Sequence, residues 1–288
     1  MIAAQPRRSA LYLPASNARA IEKARTLPCD VVILDLEDAV APDAKAEARA
    51  GAVAAVRAGG FGGRELVVRV NGLDTPWGAD DLAAVGAAQP RAVLIPKVAA
   101  PADLAAARTR LPGGVALWAM IETCAAMFRL DALGSGSVSE GVEAWVMGTN
   151  DLAKEMRCRL TVERAPLMAA LSLSVMAARA HGIAVLDGVF NEIADADGLA
   201  RQCAQAADLG FDGKTLIHPS QVEAANAAFS PDPEAVAWAR TVVAAFEAPE
   251  AAGKGVLKVD GRMVERLHFD QARRLIGVAE AIAAREAA

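Results

Sequence analysis

The stretch VVILDLEDAVAPDAKAEARAGAVAAVR, residues 31–57, contains one complete unit of the fold. It opens with the apolar run Val31–Asp35, which has the length and the β-branched content of a buried strand. After a polar loop comes the Ala-rich stretch Asp43–Arg57, which begins with Asp as helices often do. A buried strand followed by such a helix predicts a βα unit, the building block of parallel sheets.

The same succession of strand and helix recurs along the chain on both sides of this unit. Eight apolar runs predict strands, at Ser9–Leu13, Val31–Asp35, Leu66–Val70, Ala92–Ile95, Ala116–Ile121, Ala144–Met147, Ala184–Leu186 and Gly213–Ile217. Helices are predicted between them at Asp43–Arg57, Ala102–Arg110, Arg164–His181 and Ala196–Leu209. Eight units can close into a (β/α)₈ (TIM) barrel or form a doubly wound open sheet, and spacing alone does not separate the two. No G-x-G-x-x-G follows the first strand, which weakens the dinucleotide-binding version of the open sheet.

The regular alternation of predicted strands and helices ends after the eighth strand, so we expect the chain to have two parts. Residues 1–230 are predicted to form the barrel and residues 231–288 a C-terminal helical arm or lid. The arm contains one predicted helix at Glu234–Phe246 and another from about Phe269. The segment between them, residues 251–262, is Gly-rich and is expected to be exposed. A Gly-rich segment between two helices is typical of a lid or of an arm that contacts another subunit.

The overall composition excludes several classes of protein. Lys and Arg number 30 against 35 Asp and Glu, and no basic run interleaves with aromatic residues, which argues against nucleic-acid binding. Neither a secretory signal nor an apolar run of roughly 18 residues is present, so we expect a soluble cytoplasmic protein without a membrane partner. The four cysteines have no C-x-x-C spacing and are expected to be reduced thiols rather than disulfides or zinc ligands.

Polar residues stand at the carboxyl end of nearly every predicted strand. They are Asp35, Glu37, Asp38, Arg69, Asn71, Lys97, Glu122, Asn150, Asp151, Asp187 and Lys214. In a (β/α)₈ barrel these ends face one mouth, so residues far apart in sequence converge there. Each single residue has the alternative role of capping a helix or forming an ion pair at the rim. The pair Glu122 and Asp151, on adjacent strands, supplies the oxygen ligands that Mg²⁺ prefers.

Arg69 lies inside a strand that is otherwise built of valine, in the string VRVN. A guanidinium that faces inward there must meet carboxylates or an anionic ligand, because an unpaired buried charge costs several kcal/mol. Its role is therefore either a salt bridge to Glu37 or Asp38 at the mouth or the binding of substrate, and the two roles are compatible.

Seven strings, in this order, resemble the citrate lyase beta subunit and malyl-CoA lyase family, the CoA-ester lyases of the HpcH/HpaI aldolase superfamily. They are LYLPAS, LDLEDAV with a following P, K and AR, VRVN, PK, IET, GTNDL and GKTLIHPSQV. The resemblance spans nearly the whole chain, from Ser9 to about Phe229, and implies a (β/α)₈ barrel that assembles as a homo-oligomer, a trimer or hexamer. It also implies an active site for Mg²⁺, an acyl-CoA thioester and a 2-oxo acid.

The resemblance assigns roles to individual residues of the mouth. Glu122 of IET and Asp151 of GTNDL match the magnesium ligands, and Glu122 also faces the substrate. Arg69 of VRVN matches the arginine that binds substrate and takes part in catalysis. Glu37 and Asp38 match the acidic pair beside the metal that holds its waters. Two further positions carry weaker roles by the same resemblance, Pro96 and Lys97 in the site wall and His218 as a structural residue after the eighth strand.

The arm departs from the family's pattern at one position. The lyases end this string in D-G-K-M-I-D, whose last Asp transfers a proton in a neighbouring subunit's site. Here the string is DGRMVE, residues 260–265, so Glu265 takes the position of the catalytic acid with one more methylene. A displacement of about 1 Å can cost 100-fold in rate, so the altered acid bears on which reaction is catalysed.

The expected function is a magnesium-dependent carbon–carbon lyase of the retro-Claisen or aldol type. Such an enzyme cleaves a 3-hydroxyacyl-CoA such as malyl-CoA, citramalyl-CoA or a citryl thioester into acetyl-CoA and a 2-oxo acid. One alternative is hydrolysis of the same thioester, since the same arginine and metal serve both reactions. A second alternative is a catalytically silent CoA-binding subunit of a larger complex, because a fold alone does not fix function.

Overall fold

The computed structural model describes residues 5–287, in which eight parallel strands form a closed barrel. The strands are β1 Ser9–Pro14, β2 Val31–Asp35, β3 Glu65–Arg69, β4 Ala92–Ile95, β5 Ala116–Ile121, β6 Val142–Met147, β7 Ala184–Asp187 and β8 Gly213–Leu216. Each strand pairs with the next, and β1 pairs with β8 in the register Ser9 to Lys214, which closes the ring. The prediction of a (β/α)₈ barrel is confirmed.

Helices follow the strands and cover the outside of the barrel. They are α1 Ala18–Ala24, α2 Lys45–Ala58, α3 Gly78–Ala88, α4 Pro101–Arg108, α5 Cys124–Met127, α6 Leu130–Glu140, α7 Thr149–Met156, α8 Met168–Ala180, α9 Ala196–Leu209 and α10 Val222–Phe229. The helix predicted from Arg164 begins only at Met168, because Pro166 disfavours the helical conformation of the residue before it. Residues 165–167 form a short 3₁₀ turn instead.

The alternation of side chains along the strands divides the apolar core into two layers. Val32 and Leu34 belong to the large cluster between the strands and the helices, whereas Val31 and Ile33 belong to a smaller cluster inside the ring. Trp118, which is fully buried, is the largest member of the inner cluster. Because successive side chains point to opposite faces, the residue two positions after Ile33, Asp35, is also directed inward.

A second compact unit comprises residues 5–6 and 230–287, and the barrel unit is Arg7–Phe229. The second unit contains α11 Pro233–Glu247, β9 Val256–Val259, β10 Arg262–Glu265 and α12 Arg266–Glu286. Strands β9 and β10 form an antiparallel hairpin that the sequence analysis did not predict. Its own apolar cluster includes Phe246 and Phe269, whose ring centroids are 5.4 Å apart.

Among the described residues, no helix has both the length and the apolar character that crossing a bilayer requires. The four cysteines are free thiols, two of them buried.

Candidate active site at the carboxyl ends of the strands

A cavity of about 300 Å³ opens at the carboxyl ends of the barrel strands. It is lined by Tyr12, Asp35, Asp38, Ala39, Arg69, Met120, Glu122, Met147, Gly148, Thr149, Asn150, Asp151, Val189, Thr215 and Ile217. Four of the residues predicted for the site, namely Asp38, Arg69, Glu122 and Asp151, therefore share one cavity. A fifth, Glu37, is connected to them by ion pairs.

Arg69 is buried at the end of β3 and is held mainly by Asp35. Its Nε lies 2.7 Å from Asp35 Oδ1 and its Nη2 lies 2.6 Å from Asp35 Oδ2, a bidentate pair. The remaining Nη1 lies 2.8 Å from Glu37 Oε2 and 3.8 Å from Asp38 Oδ2. The expected bridge to Glu37 is present, but the stronger partner is Asp35. In the register of β2 and β3, Asp35 lies opposite Arg69. The guanidinium also stacks on the Tyr12 ring, with its Cζ 4.9 Å from the ring centroid.

The Glu37 carboxylate connects the ends of three strands. Besides Arg69, it binds Lys97, whose Nζ lies 3.2 Å from Glu37 Oε1. Burial raises the pKa of Glu37, and the charge of Arg69 opposes that shift. The carboxylate is thus held between two cations, one from the end of β3 and one from the loop after β4.

Lys97 contacts the acids of the site with both its backbone and its side chain. Its backbone has a φ of 54°, an unusual conformation for a residue with a side chain, and its N–H donates to Glu122 Oε1 at 2.7 Å. The ammonium of the same residue reaches Glu37. The PK string, which the resemblance placed in the site wall, therefore contacts both acids directly.

Glu122 is almost completely buried at the end of β5. Burial raises the pKa of Glu122 to about 8, and the negative charges of Glu37 and Asp151 add to the shift, which the Lys97 N–H opposes. A cation beside this carboxylate would remove the penalty that burial imposes on its charged form.

Gly148 leaves the room that the Glu122 side chain occupies. A Cβ at position 148 would overlap Glu122 Oε2 and its Cβ. The glycine ends β6, and α7 begins directly after it at Thr149, so Asp151 lies in the first turn of that helix. In the GTNDL string, the glycine thus leaves space for Glu122, and the aspartate is placed in the first turn of α7.

The donor set fits a hard divalent cation. The network contains five carboxylates, of Asp35, Glu37, Asp38, Glu122 and Asp151, and two cationic side chains, of Arg69 and Lys97. Within residues 5–287, no cluster of three or more His, Cys, Asp or Glu side chains is arranged as a metal site. Two carboxylate ligands with other positions left for water and substrate oxygens are characteristic of Mg²⁺.

Glu265, the predicted catalytic acid of the arm, lies in the C-terminal unit. It is exposed at the end of β10, and its backbone N–H donates to His268 Nδ1 at 2.9 Å. His218 accepts a hydrogen bond from the Ser220 N–H at 3.2 Å and so caps the 3₁₀ turn after β8.

Two of the polar residues predicted at strand ends, Asp187 and Lys214, pair with each other and do not line the cavity. Lys214 Nζ lies 2.7 Å from Asp187 Oδ2, and the same carboxylate binds Arg164 Nη1 at 2.6 Å through Oδ1. All three side chains are buried. Sequence reasoning missed Arg164, because it lies in a loop, and it also missed Tyr12, whose place two residues after inward-facing Ala10 would have revealed it.

Comparison with known proteins identifies the group to which this barrel belongs. A family model described as HpcH/HpaI aldolase/citrate lyase matches residues 8–219. A (3S)-malyl-CoA thioesterase of Cereibacter sphaeroides strain KD131 is 48% identical over 281 residues, which cover 98% of this chain and 97% of that protein. An L-malyl-CoA/beta-methylmalyl-CoA lyase of Cereibacter sphaeroides strain ATCC 17025 is 35% identical, with 98% and 97% covered.

A solved structure agrees with the architecture of this chain. The crystal structure of the protein CitE from Mycobacterium tuberculosis in complex with magnesium, acetoacetate and coenzyme A has a TM-score of 0.77 and 28% identity. The similarity covers 97% of this chain and 100% of that one.

The expectation of a carbon–carbon lyase is wrong. Relatives that are 48% identical over nearly their whole length are thioesterases, whereas the lyase relatives are 34–35% identical. The strings that carried the resemblance describe the binding of a metal and an acyl-CoA, which both reactions need, so they could not separate cleavage from hydrolysis. What they identify is the family: this chain belongs to the HpcH/HpaI aldolase/citrate lyase family.

Proposed function

We propose that this protein is a magnesium-dependent thioesterase that hydrolyses (3S)-malyl-CoA to malate and CoA. The observation that carries the proposal is the 48% identity to (3S)-malyl-CoA thioesterases over 98% of the chain. The cavity adds a chemical argument, because it combines a buried arginine with two carboxylates suited to Mg²⁺.

The reaction adds water across the thioester. The water oxygen forms a bond to the thioester carbonyl carbon, the carbon–sulfur bond breaks, and the sulfur leaves with the electron pair and is protonated to the CoA thiol. Negative charge develops on the carbonyl oxygen before the sulfur leaves. Fixed donors directed at that oxygen lower the barrier, and this electrostatic contribution is commonly the largest one.

The chain's own residues have distinct parts in this scheme. Arg69, held rigidly by Asp35, is the donor that faces the developing charge. Glu122 and Asp151 would hold Mg²⁺, which when bound supplies positive charge that neutralises and orients the malyl carboxylate and hydroxyl. Glu37 and Asp38 would hold and orient water at the mouth. Glu265 is our candidate for the proton transfer.

The decisive experiment is a product balance with malyl-CoA and Mg²⁺. We expect one free CoA thiol and one malate for each thioester consumed, measured with a thiol reagent and by chromatography. Acetyl-CoA and glyoxylate as the main products would contradict the proposal. Tight binding of malyl-CoA without turnover would instead favour the silent subunit.

The part played by Glu265 is tested with Glu265→Gln. General acid–base residues contribute roughly 100-fold or more, so kcat should fall by about that factor. The dissociation constant of Mg²⁺, measured by calorimetry, should stay unchanged. An unchanged kcat would remove Glu265 from the mechanism.

The family resemblance also leads us to propose that the protein is a homo-oligomer, a trimer or hexamer. Sedimentation equilibrium of the purified protein tests this, and a monomer at all concentrations would contradict it.

A further inference from the structure

Lys45, the first residue of α2, has a buried ammonium group with three neutral oxygen partners. Its Nζ lies 2.7 Å from the carbonyl oxygens of Leu36 and Glu37 and 2.8 Å from Asn71 Oδ1. The two carbonyls belong to residues 36–38, which we call the acid turn because it carries Glu37 and Asp38. Three acceptors use all three hydrogens of the ammonium.

Asn71 is itself held by hydrogen bonds to Asp81 and Leu36, and these contacts, together with that of Arg49 to Asp81, form what we call the brace. Its side-chain Nδ2 donates to Asp81 Oδ2 at 2.6 Å and to the Leu36 carbonyl at 2.9 Å, which orients Oδ1 toward Lys45. The other oxygen of Asp81 accepts from Arg49 Nε at 2.6 Å. The brace therefore connects the start of α3 and the face of α2 to the acid turn.

Placing an ammonium group in a buried position is energetically unfavourable. The ammonium has lost water and has three neutral oxygens as its direct partners, so burial lowers the pKa of Lys45, and the negative charges of Asp35, Glu37, Asp81 and Asp38 oppose that shift. An apolar side chain of similar length would avoid this loss of hydration, but it would leave the Leu36 and Glu37 carbonyls and Asn71 Oδ1 without their donor. The three contacts therefore fix the position of the acid turn in addition to any contribution to the stability of the barrel.

The acid turn leads directly into the proposed active site. The carboxylate of Glu37, a residue of this turn, lies 2.8 Å from Arg69 Nη1 and 3.2 Å from Lys97 Nζ. The Lys97 N–H in turn donates to Glu122 Oε1 at 2.7 Å. A continuous series of contacts therefore joins Lys45, outside the ring of strands, to a proposed metal ligand.

We propose that Lys45, held by Asn71, is a positioning residue that fixes the acid turn so that Glu37 can hold Arg69 and Lys97 in their working places. The proposal rests on the function given above. It assigns a role to the K of the LDLEDAV-P-K-AR string and the N of VRVN, which the mechanism leaves unused.

The test compares Lys45→Met with the matched variant Arg179→Met. Arg179 is also a cation on a barrel helix, but it binds Asp212 at 2.8 Å, ahead of β8. In Lys45→Met we expect kcat to fall and the Mg²⁺ dissociation constant to rise, each by about 10-fold, as for other residues that orient metal ligands. Arg179→Met should lower the melting temperature while kcat and the dissociation constant stay within about 2-fold of wild type.

A double-mutant cycle separates positioning from a structural role. If Lys45 acts through Glu37, then Lys45→Met and Glu37→Gln have non-additive effects on kcat, because each disturbs the same contacts. Asn71→Leu should reproduce the Lys45→Met result, and it serves as the test should Lys45→Met fail to fold.

Additive effects in the cycle, or a folded Lys45→Met with wild-type kcat and Mg²⁺ affinity, would overturn the role of Lys45. The two proposals fail in different ways. A wild-type protein that binds Mg²⁺ but releases no CoA from malyl-CoA refutes the thioesterase alone, and the calorimetric comparison of variants still decides the role of Lys45.

Discussion

The two ends of the barrel carry charges in opposite arrangements. At the amino ends of the strands, which we call the floor, three arginines meet three acids. The pairs are Arg7 with Glu65 at 2.7 Å, Arg7 with Glu143 at 2.9 Å, Arg8 with Asp30 at 3.0 Å and Arg91 with Glu143 at 2.7 Å. At the carboxyl ends, five carboxylates share the two cations Arg69 and Lys97.

We interpret this difference as a separation between charges that hold the fold and charges of the proposed active site. The floor balances its own charges, so its ion pairs need nothing from outside the chain. The mouth has an excess of negative charge in a place where Glu122 is deprived of water, and an added cation would relieve it. Substitutions at the floor should therefore change stability, whereas substitutions at the mouth should change ligand binding and activity.

The largest effect is expected from Glu122→Gln at the mouth. We expect the proposed malyl-CoA hydrolysis to slow by about 1000-fold, because the loss of a proposed metal ligand would remove electrostatic stabilisation of the reaction. The free energy of unfolding without Mg²⁺ should be equal to or higher than that of the wild type, since a neutral amide replaces a carboxylate whose burial is costly. Assays of CoA release and urea unfolding measure both quantities. A large loss of stability with retained activity would contradict the distinction between a floor that holds the fold and a mouth that supports activity.

Glu65→Gln at the floor should give the opposite result. Arg7 and Glu65 are both buried, and removal of one charge from a buried pair costs about 3 kcal/mol. We expect the free energy of unfolding in urea to fall by about that amount, while kcat of the folded enzyme keeps its wild-type value. A fall in kcat at a temperature where the variant is fully folded would place the floor in the mechanism.

Mg²⁺ itself should stabilise the wild-type protein. At a free concentration 100 times the dissociation constant, a cation that binds only the folded state adds about 2.7 kcal/mol to the free energy of unfolding. Urea unfolding with Mg²⁺ and with a chelator measures the difference, and Asp151→Asn should abolish it. An equal gain in Asp151→Asn would show that the cation binds elsewhere.

The smallest effect is expected from Asp38→Asn. The Asp38 side chain is 63% exposed and lies 3.8 Å from Arg69, so water screens its charge. We expect calorimetry to give an Mg²⁺ dissociation constant raised by no more than about 5-fold, or roughly 1 kcal/mol. A loss as large as that of Glu122→Gln would mean that Asp38 binds the metal directly.

The strands were predictable from the sequence because they are apolar and bounded by polar residues, whereas the choice of a closed barrel over an open sheet came from the family resemblance. Val31–Asp35, Ala92–Ile95 and Ala116–Ile121 have the predicted bounds, as does the helix Ala196–Leu209. The hairpin of β9 and β10 was missed because its strands are short and largely exposed. Its turn, Asp260–Gly261, has positive φ at both residues and is a recognised hairpin signal that the pattern of apolar runs overlooked.

The sequence predicted which strand ends line the cavity of the candidate site, but only some of the contacts among them, and the roles of these residues stay predictions. Arg69, Glu122 and Asp151 meet in one cavity, as strand ends in a barrel should. The main partner of Arg69 was missed, because Asp35, Glu37 and Asp38 are chemically alike and only the inward direction of Asp35 distinguishes it. The strings could not distinguish carbon–carbon cleavage from hydrolysis, since both thioesterases and lyases are among the relatives similar to this chain.

The backbone of Lys97 has a consequence for how this protein responds to selection. A residue with a side chain at a φ of 54° costs roughly 1 kcal/mol more than glycine would. Glycine at position 97 would relax the main chain, keep the N–H that Glu122 accepts and lose the ammonium. A screen of random variants for heat resistance alone should therefore enrich Lys97→Gly together with neutral residues at position 122, and the survivors should be robust proteins that no longer turn over substrate.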